Sequence, residues 1–257
     1  MLKKIFKKIL ENAGYEIRKP SAFPPGSAAR PTGKMRMFLE DIHARGFAPS
    51  AILDVGAHSG GWSKTAVSIF RGAEIFMIEP KVEMEPHLKS FQKEYPRSKY
   101  FLCGAGPREE IKTLSLWPNY GEGTSFLPAP QDNLANAGIQ RKVEIVTIDS
   151  LISAGKILPP NLLKVDVEGF EIEVLKGASK ALVAAEVVIL EASLYRRLPG
   201  MPLIHEIINF MVERDFSVYD FPGLHKRPEL GVLHIVDICF VRNTSPLLPT
   251  IKGLYTE

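Results

Sequence analysis

Short apolar runs alternate with amphipathic stretches along most of this chain, and the two periods assign its elements. Ile52, Leu53 and Val55 form a strand at 51–55, and further extended runs lie near 74–79 and 99–103. A helix over about 34–45 precedes the first strand, and another spans about 83–94. IKTLSLW (111–117) alternates as a half-exposed strand, and VEIVTID (143–149) is a further extended run. NLLKVDV (161–167) reads as a buried strand, followed by a helix from about 169 to 184. EVVILEA (186–192) is again a strand, 202–214 a helix, and FSVYDF with LHIVDICFV a terminal strand pair. This alternation predicts a parallel sheet with helices on both faces and ligands outside the carboxyl ends of the strands.

The first strand runs into Gly56-Ala57-His58-Ser59-Gly60-Gly61, which turns the chain into a helix beginning near Trp62. A glycine turn of this kind lets backbone approach a ligand and aims helix N-terminal N–H groups at it. The second strand ends in Glu79, 19 residues after Gly60, where a carboxylate can accept hydrogen bonds from both hydroxyls of a ribose. The glycine spacing does not fit the dinucleotide pattern G-x-G-x-x-G, which disfavours NAD. Asp54, just before the turn, adds an acidic lip. That lip suits S-adenosylmethionine, which carries an ammonium and a sulfonium and no phosphate.

NLLKVDVEGFEIEVLKG holds the second group of carboxylates. Asp166 and Glu168 arrive at the carboxyl end of a strand, and Glu171 follows in the next helix. Three acids in six residues are costly to hold together without a cation or a proton among them. The alternative for Glu168 and Glu171 is a plain helix N-terminal role, favoured by the helix dipole.

Composition narrows the class. The chain has 257 residues, 45% hydrophobic and 24% charged, enough apolar material for one large domain. Cys103 and Cys239 lie in apolar strands without metal or disulfide spacing, as expected of packing thiols in a reducing compartment. No apolar run approaches a membrane span, and the N-terminus lacks a signal-peptide core, so a cytoplasmic location is expected. Residues 1–19 hold six basic and two acidic side chains, a local +4 out of a total of +3, which leaves a nearly neutral body. Such a body lacks the basic face of a nucleic-acid binder. The same 1–19 segment places Leu2, Ile5, Phe6, Ile9, Leu10, Ala13 and Ile17 at helical spacing opposite lysines. It reads either as a basic amphipathic helix for peripheral contact with the inner face of a membrane or as an ordinary packed helix. Residues 20–33 are a Pro/Gly/Ser-rich linker, and 34–257 the main domain.

In their order, DVGAHSG, IEP, V-x-T-I-D, LKVDVEGFEIEVLKGA, VVILEAS and VDICFV resemble the FkbM-type family of S-adenosylmethionine-dependent methyltransferases, over about residues 35–242. The KVDVEGFE segment is the most specific of these motifs. The resemblance implies an α/β Rossmann-like class I methyltransferase fold: a seven-stranded, mostly parallel sheet with helices on both faces and the last strand antiparallel. It also implies S-adenosyl-L-methionine as cofactor and O-methylation of a hydroxyl, with sugars, glycans and glycolipids among the acceptors. Matched by position, Asp54, Gly56, Ala57, His58 and Gly60 form the methionine-side turn, Glu79 holds the ribose, and Gly104 and Ala105 lie where adenine stacks. His58 stands where the family commonly has asparagine, and the first 33 residues lie outside the resemblance.

Methyl transfer needs an aligned acceptor and a group to take its proton, a base or else a divalent metal. Asp166, Glu168 and Glu191 are the candidates for that role. His205, His225 and His234 are weaker ones. His225, with Lys226 and Arg227, falls in a predicted loop, FPGLHKRPELG, that could cover the acceptor. Trp117 and Tyr120 could stack on a sugar, while Asp132 and Asp149 read as loop and capping residues. Competing readings are an RNA 2′-O-methyltransferase, disfavoured by the neutral body, and a non-catalytic membrane-tethered scaffold on the same fold.

Overall fold

The computed structural model describes residues 30–116, 124–128, 139–229 and 231–249. The basic segment 1–19, most of the linker, Trp117, Tyr120 and Asp132 lie outside the described residues. In chain order the first half comprises α1 (Met35–Ala44), β1 (Ala51–Val55), α2 (Gly61–Ile69), β2 (Glu74–Ile78), α3 (Glu85–Glu94) and β3 (Ser98–Phe101). Next come β4 (Gly104–Ala105), β5 (Glu110–Leu116), β6 (Thr124–Ser125) and β7 (Ile139–Val146). The rest is α4 (Ile148–Ser153), β8 (Leu162–Val165), α5 (Glu171–Lys176), α6 (Ser179–Ala184), β9 (Val187–Ser193), α7 (Ile204–Val212), β10 (Phe216–Lys226) and β11 (Leu233–Arg242).

β1 is buried along its whole length because it lies in the middle of the main sheet, in parallel between β2 and β8. Its side chains alternate between two apolar layers. Leu53 and Val55 pack into one, Ile52 into the other, and Asp54 interrupts the second. The sheet has seven strands in the order β10-β11-β9-β8-β1-β2-β3. β11, the last in the chain, runs antiparallel to both β9 and β10, as the resemblance implied. The layer holding Leu53 and Val55 also takes Val174, Ala181 and Ile207, from α5, α6 and α7. The layer holding Ile52 takes Phe38, Ala66 and Leu88, from α1, α2 and α3. Strand order reverses beside β1, so the crevice at the ends of β1 and β8 is where this topology places a ligand.

Four corrections to the sequence reading concern local order. The chain between β3 and β8 builds a second, four-stranded sheet, β4-β7-β5-β6, which the periodicity did not separate from the first. The extended run at 143–149 stops at Thr147, whose hydroxyl accepts the Ser150 N–H at 2.9 Å and caps α4. The single helix expected over 169–184 breaks between α5 and α6. Gly177 lies so close to the Gly106 carbonyl that a Cβ would come within 2.0 Å of its oxygen, and the turn there replaces a continuing helix. The predicted 221–231 loop is strand up to Lys226, carried across register shifts opposite β11. Among the described residues no helix is long and apolar enough to cross a membrane.

Candidate active site

The turn after β1 is built around contacts to β2 and β8. Gly56 has φ +82°, and a Cβ there would lie 1.8 Å from the Asp166 carbonyl oxygen, so only glycine fits between the strand ends. The N–H groups of Gly56 and Ala57 both donate to the Ile78 carbonyl, at 2.9 and 3.1 Å, and Gly60 donates to Ala57 at 2.8 Å. His58, with φ +48°, donates its N–H to Glu79 Oε2 at 2.7 Å. These four N–H groups, which precede the helix, are spent inside the protein, and the one from His58 holds Glu79.

Glu79 is 3% exposed, and its second oxygen accepts the Lys81 N–H at 2.9 Å. Burial pushes its carboxyl above the ordinary range, against the pull of these two N–H groups. Each oxygen keeps a lone pair for a further donor.

At the end of β8 the chain passes through two left-handed residues, Glu168 at φ +53° and Gly169 at φ +99°. Glu171 locks this bend from below: its Oε1 accepts the N–H groups of Val167 at 3.2 Å and Gly169 at 3.0 Å. It is buried and does not face the cavity, and burial raises its carboxyl to about 7. The bend presents Asp166 and Glu168 upward. Asp166 Oδ2 accepts from Lys164 Nζ at 2.8 Å, and Glu168 Oε2 from Arg197 Nη2 at 3.1 Å. Burial raises the Glu168 carboxyl, with Arg197 opposing. Glu191, from β9, stands in register with Asp237 of β11 and has no hydrogen-bond or ion-pair partner among the described residues. Burial, then Asp166, Glu168, Glu171 and Asp237, push its carboxyl well above the ordinary range.

These groups meet in a cavity of about 230 Å³ at the crevice between β1 and β8. Gly56, His58, Glu79, Gly104 and Ala105 line it, as do the candidate carboxylates Asp166, Glu168 and Glu191. Asp54, Ala57 and Gly60 do not. Asp54 is fully buried, accepting from Ser63 Oγ at 2.7 Å and facing Lys164 Nζ at 3.8 Å. The apolar wall is Val55, Ile78 and Pro80, with Leu114 and Phe126 from the region of the second sheet. Among the described residues Lys81 is the one lysine or arginine on the lining.

None of the three histidines named from the sequence lines the cavity. His225 Nε2 instead pairs with Asp237 Oδ2 at 3.3 Å, and His234 Nδ1 with the His225 carbonyl at 2.9 Å. Asp149 caps α6 by accepting the Lys180 N–H at 2.8 Å. Cys103 is buried and raised to about 12 by burial, which suits a packing thiol. Among the described residues no group of three or more His, Cys, Asp or Glu side chains is placed to hold a metal ion. Among the described residues, then, there is no donor set for the divalent metal raised as an alternative to a base.

Two site residues escaped the sequence reading. Lys164 was legible in principle, since a lysine inside NLLKVDV is as anomalous as the aspartate beside it. Arg197 gave no such signal; it reaches Glu168 from the loop after β9.

Comparison with known proteins bears on the family and the fold. The hexuronic acid methyltransferase AglP of Haloferax volcanii is 41% identical over 71 residues, 26% of this chain and 30% of that protein. A solved FkbM methyltransferase from Methylobacillus flagellatus KT superposes with a TM-score of 0.52 at 18% identity, over 84% of this chain and 50% of that one. The chain thus spans half of one relative and under a third of the other. Residues 54–218, which carry the turn, Glu79 and the carboxylates of β8 and β9, match the methyltransferase FkbM domain, and the chain belongs to that family.

Proposed function

We propose that this protein transfers a methyl group from S-adenosylmethionine to a hydroxyl of a sugar or glycan. The observation that carries this reading is one cavity with a ribose-type acceptor, Glu79, at one side and the carboxylates Asp166, Glu168 and Glu191 at the other. Among the described residues the lining has four carboxylates and a single lysine, which suits a ligand with a diol and positive charge better than one with phosphates. When bound, S-adenosylmethionine supplies a methyl group on a positively charged sulfur that leaves as a neutral thioether. Glu79 would hold the ribose hydroxyls, and Gly104 and Ala105, which carry little side chain, leave room for a flat base beside Leu114 and Phe126. Asp166 would face the ammonium of the methionine part.

Glu191 takes the acceptor's proton in this scheme. With the cofactor supplying the methyl group, Glu191 would accept the proton of an acceptor hydroxyl aligned in the cavity. Burial and the neighbouring carboxylates raise its proton affinity, and a cation held beside it would favour the ionised form. The relative that acts on a hexuronic acid makes uronic acid glycosides the first acceptors to test, and Lys81 is the cation on the cavity wall to meet their carboxylate.

The test is calorimetric binding of S-adenosylmethionine, S-adenosylhomocysteine and NAD to the wild type. Micromolar binding of the first two with NAD silent is expected, followed by mass-spectrometric detection of methylated uronic acid glycosides. Wild-type protein that binds neither adenosyl ligand would sink the reading and bring the scaffold alternative forward.

A further inference from the structure

Lys164 sits in the middle of β8, flanked by Leu162, Leu163 and Val165, and is 6% exposed. It pairs in register with Asp54 of β1 on one side and Ile189 of β9 on the other. Isolated, an ammonium in this position costs several kcal/mol, and an aliphatic side chain would serve packing better. Its surroundings are built for it. Nζ lies 2.8 Å from Asp166 Oδ2, 3.8 Å from Asp54 Oδ1 and 5.7 Å from the centroid of the Trp62 ring. Asp54 is itself held by Ser63, so the first turn of α2 closes over the lysine through both Trp62 and Ser63. Despite burial, the carboxylates Asp166 and Asp54 hold the ammonium above its ordinary range.

The arrangement is closed at one end and open at the other. Asp54 is fully buried, whereas the Asp166 side chain is 33% exposed and lines the cavity. Lys164 engages only one of its oxygens; Oδ1 takes no hydrogen bond among the described residues. The other carboxylates of the cavity stand in different surroundings. Glu79 accepts two backbone N–H groups, Glu168 pairs with Arg197, and Glu191 lies among like charges. Asp237 and His225, from β11 and β10, are paired with each other.

We propose that Lys164 is a positioning residue that pins Asp166 Oδ2 and so presents Oδ1 to the cavity as the seat of the cofactor's ammonium, with Asp54 and α2 anchoring the lysine from behind. This rests on the cofactor reading above and adds to it a residue that never touches the ligand. It also explains why Asp54, expected at the ligand, is buried one shell away.

The test is calorimetry of the full chain with three probes. S-adenosylhomocysteine carries the ammonium and the carboxylate, its decarboxylated form keeps only the ammonium, and 5′-methylthioadenosine lacks both. Lys164→Met is expected to weaken the first two by about tenfold or more, the scale of a charged hydrogen bond, while 5′-methylthioadenosine changes by less than about twofold. Lys164→Arg restores most of the loss. Asp166→Asn shows the same selective loss, and adding Lys164→Met to it weakens binding no further. Asp166→Asn and Lys164→Arg carry the test if Lys164→Met does not fold. Equal weakening of all three probes, or of none, would overturn the role of Lys164 while leaving the cofactor reading intact. A wild type that binds no probe overturns both.

Discussion

The backbone N–H of His58 meets Glu79 Oε2 at 2.7 Å, so the turn that ends β1 holds the carboxylate that ends β2. With the Lys81 N–H on the other oxygen, removing this side chain strands two buried donors. Glu79→Ala should therefore cost about 1–3 kcal/mol of stability and weaken S-adenosylhomocysteine by more than tenfold. Urea unfolding and calorimetry check the two effects separately. Unchanged affinity in a folded variant would remove Glu79 from the ligand site.

Gly56 offers a sharper test of the same turn. Gly56→Ala places a Cβ 1.8 Å from the Asp166 carbonyl oxygen, at φ +82°. Gly46 has φ +100° with nothing within 4 Å of a Cβ. Gly46→Ala should lose only the left-handed penalty, about 1–2 kcal/mol. Gly56→Ala should lose several kcal/mol, because backbone must move as well. Thermal unfolding of both variants decides the point; equal losses would mean the strand ends are not in contact.

Glu171 predicts a pH effect. Its carboxyl is raised from 4.5 to about 7 by burial, so the folded state holds a proton that the unfolded chain has released. The sign follows: this group makes stability fall as pH rises from about 4.5 to about 7, with the loss complete above 7. Glu171→Gln keeps an oxygen for the Val167 and Gly169 N–H groups and cannot ionise. Relative to wild type it should gain stability at pH 8 compared with pH 4, by an amount on the order of 3 kcal/mol. Urea titrations of both proteins at the two pH values measure this; parallel pH profiles would contradict it.

Glu191 should separate catalysis from binding. Glu191→Gln removes the proposed base and leaves Glu79 and Asp166 in place. Methyl transfer to a uronic acid glycoside should fall about 10²–10⁴-fold, with S-adenosylhomocysteine affinity within a few-fold of wild type. Its melting temperature should equal or exceed that of wild type, since a carboxyl among like charges gives way to a neutral amide. Near-normal turnover would exclude Glu191 as the base.

What the sequence made legible was whatever a strict period or a glycine announced. The alternation through Ile52, Leu53 and Val55, the turn from Gly56 and the acid at Glu79 located the crevice, because each is a local requirement of strand, turn and strand. The carboxylates of β8 and β9 followed from the position of polar residues at strand ends. Contacts between distant segments left no such mark. Gly177 lies against the Gly106 carbonyl where the helix breaks, and Arg197 reaches Glu168 from a separate loop. Nor did the sequence show that the N–H groups of Gly56, Ala57, His58 and Gly60, just before the helix, are taken up by Ile78, Ala57 and Glu79.

The far wall of the cavity has a consequence of its own. Leu114 and Thr124 belong to the second sheet, and Phe126 follows it directly, whereas Glu79, Asp166 and Glu191 stand at or just beyond the ends of strands in the first. Among the described residues no hydrogen-bonded strand pair joins the two sheets. The link runs through side chains instead: Ser125 Oγ donates to the Glu168 carbonyl at 2.8 Å, and Leu114, Phe126, Val143 and Ile145 share the apolar layer that holds Val55 and Val165. Replacing this insert would therefore change the cavity wall and the bend that presents Glu168 together.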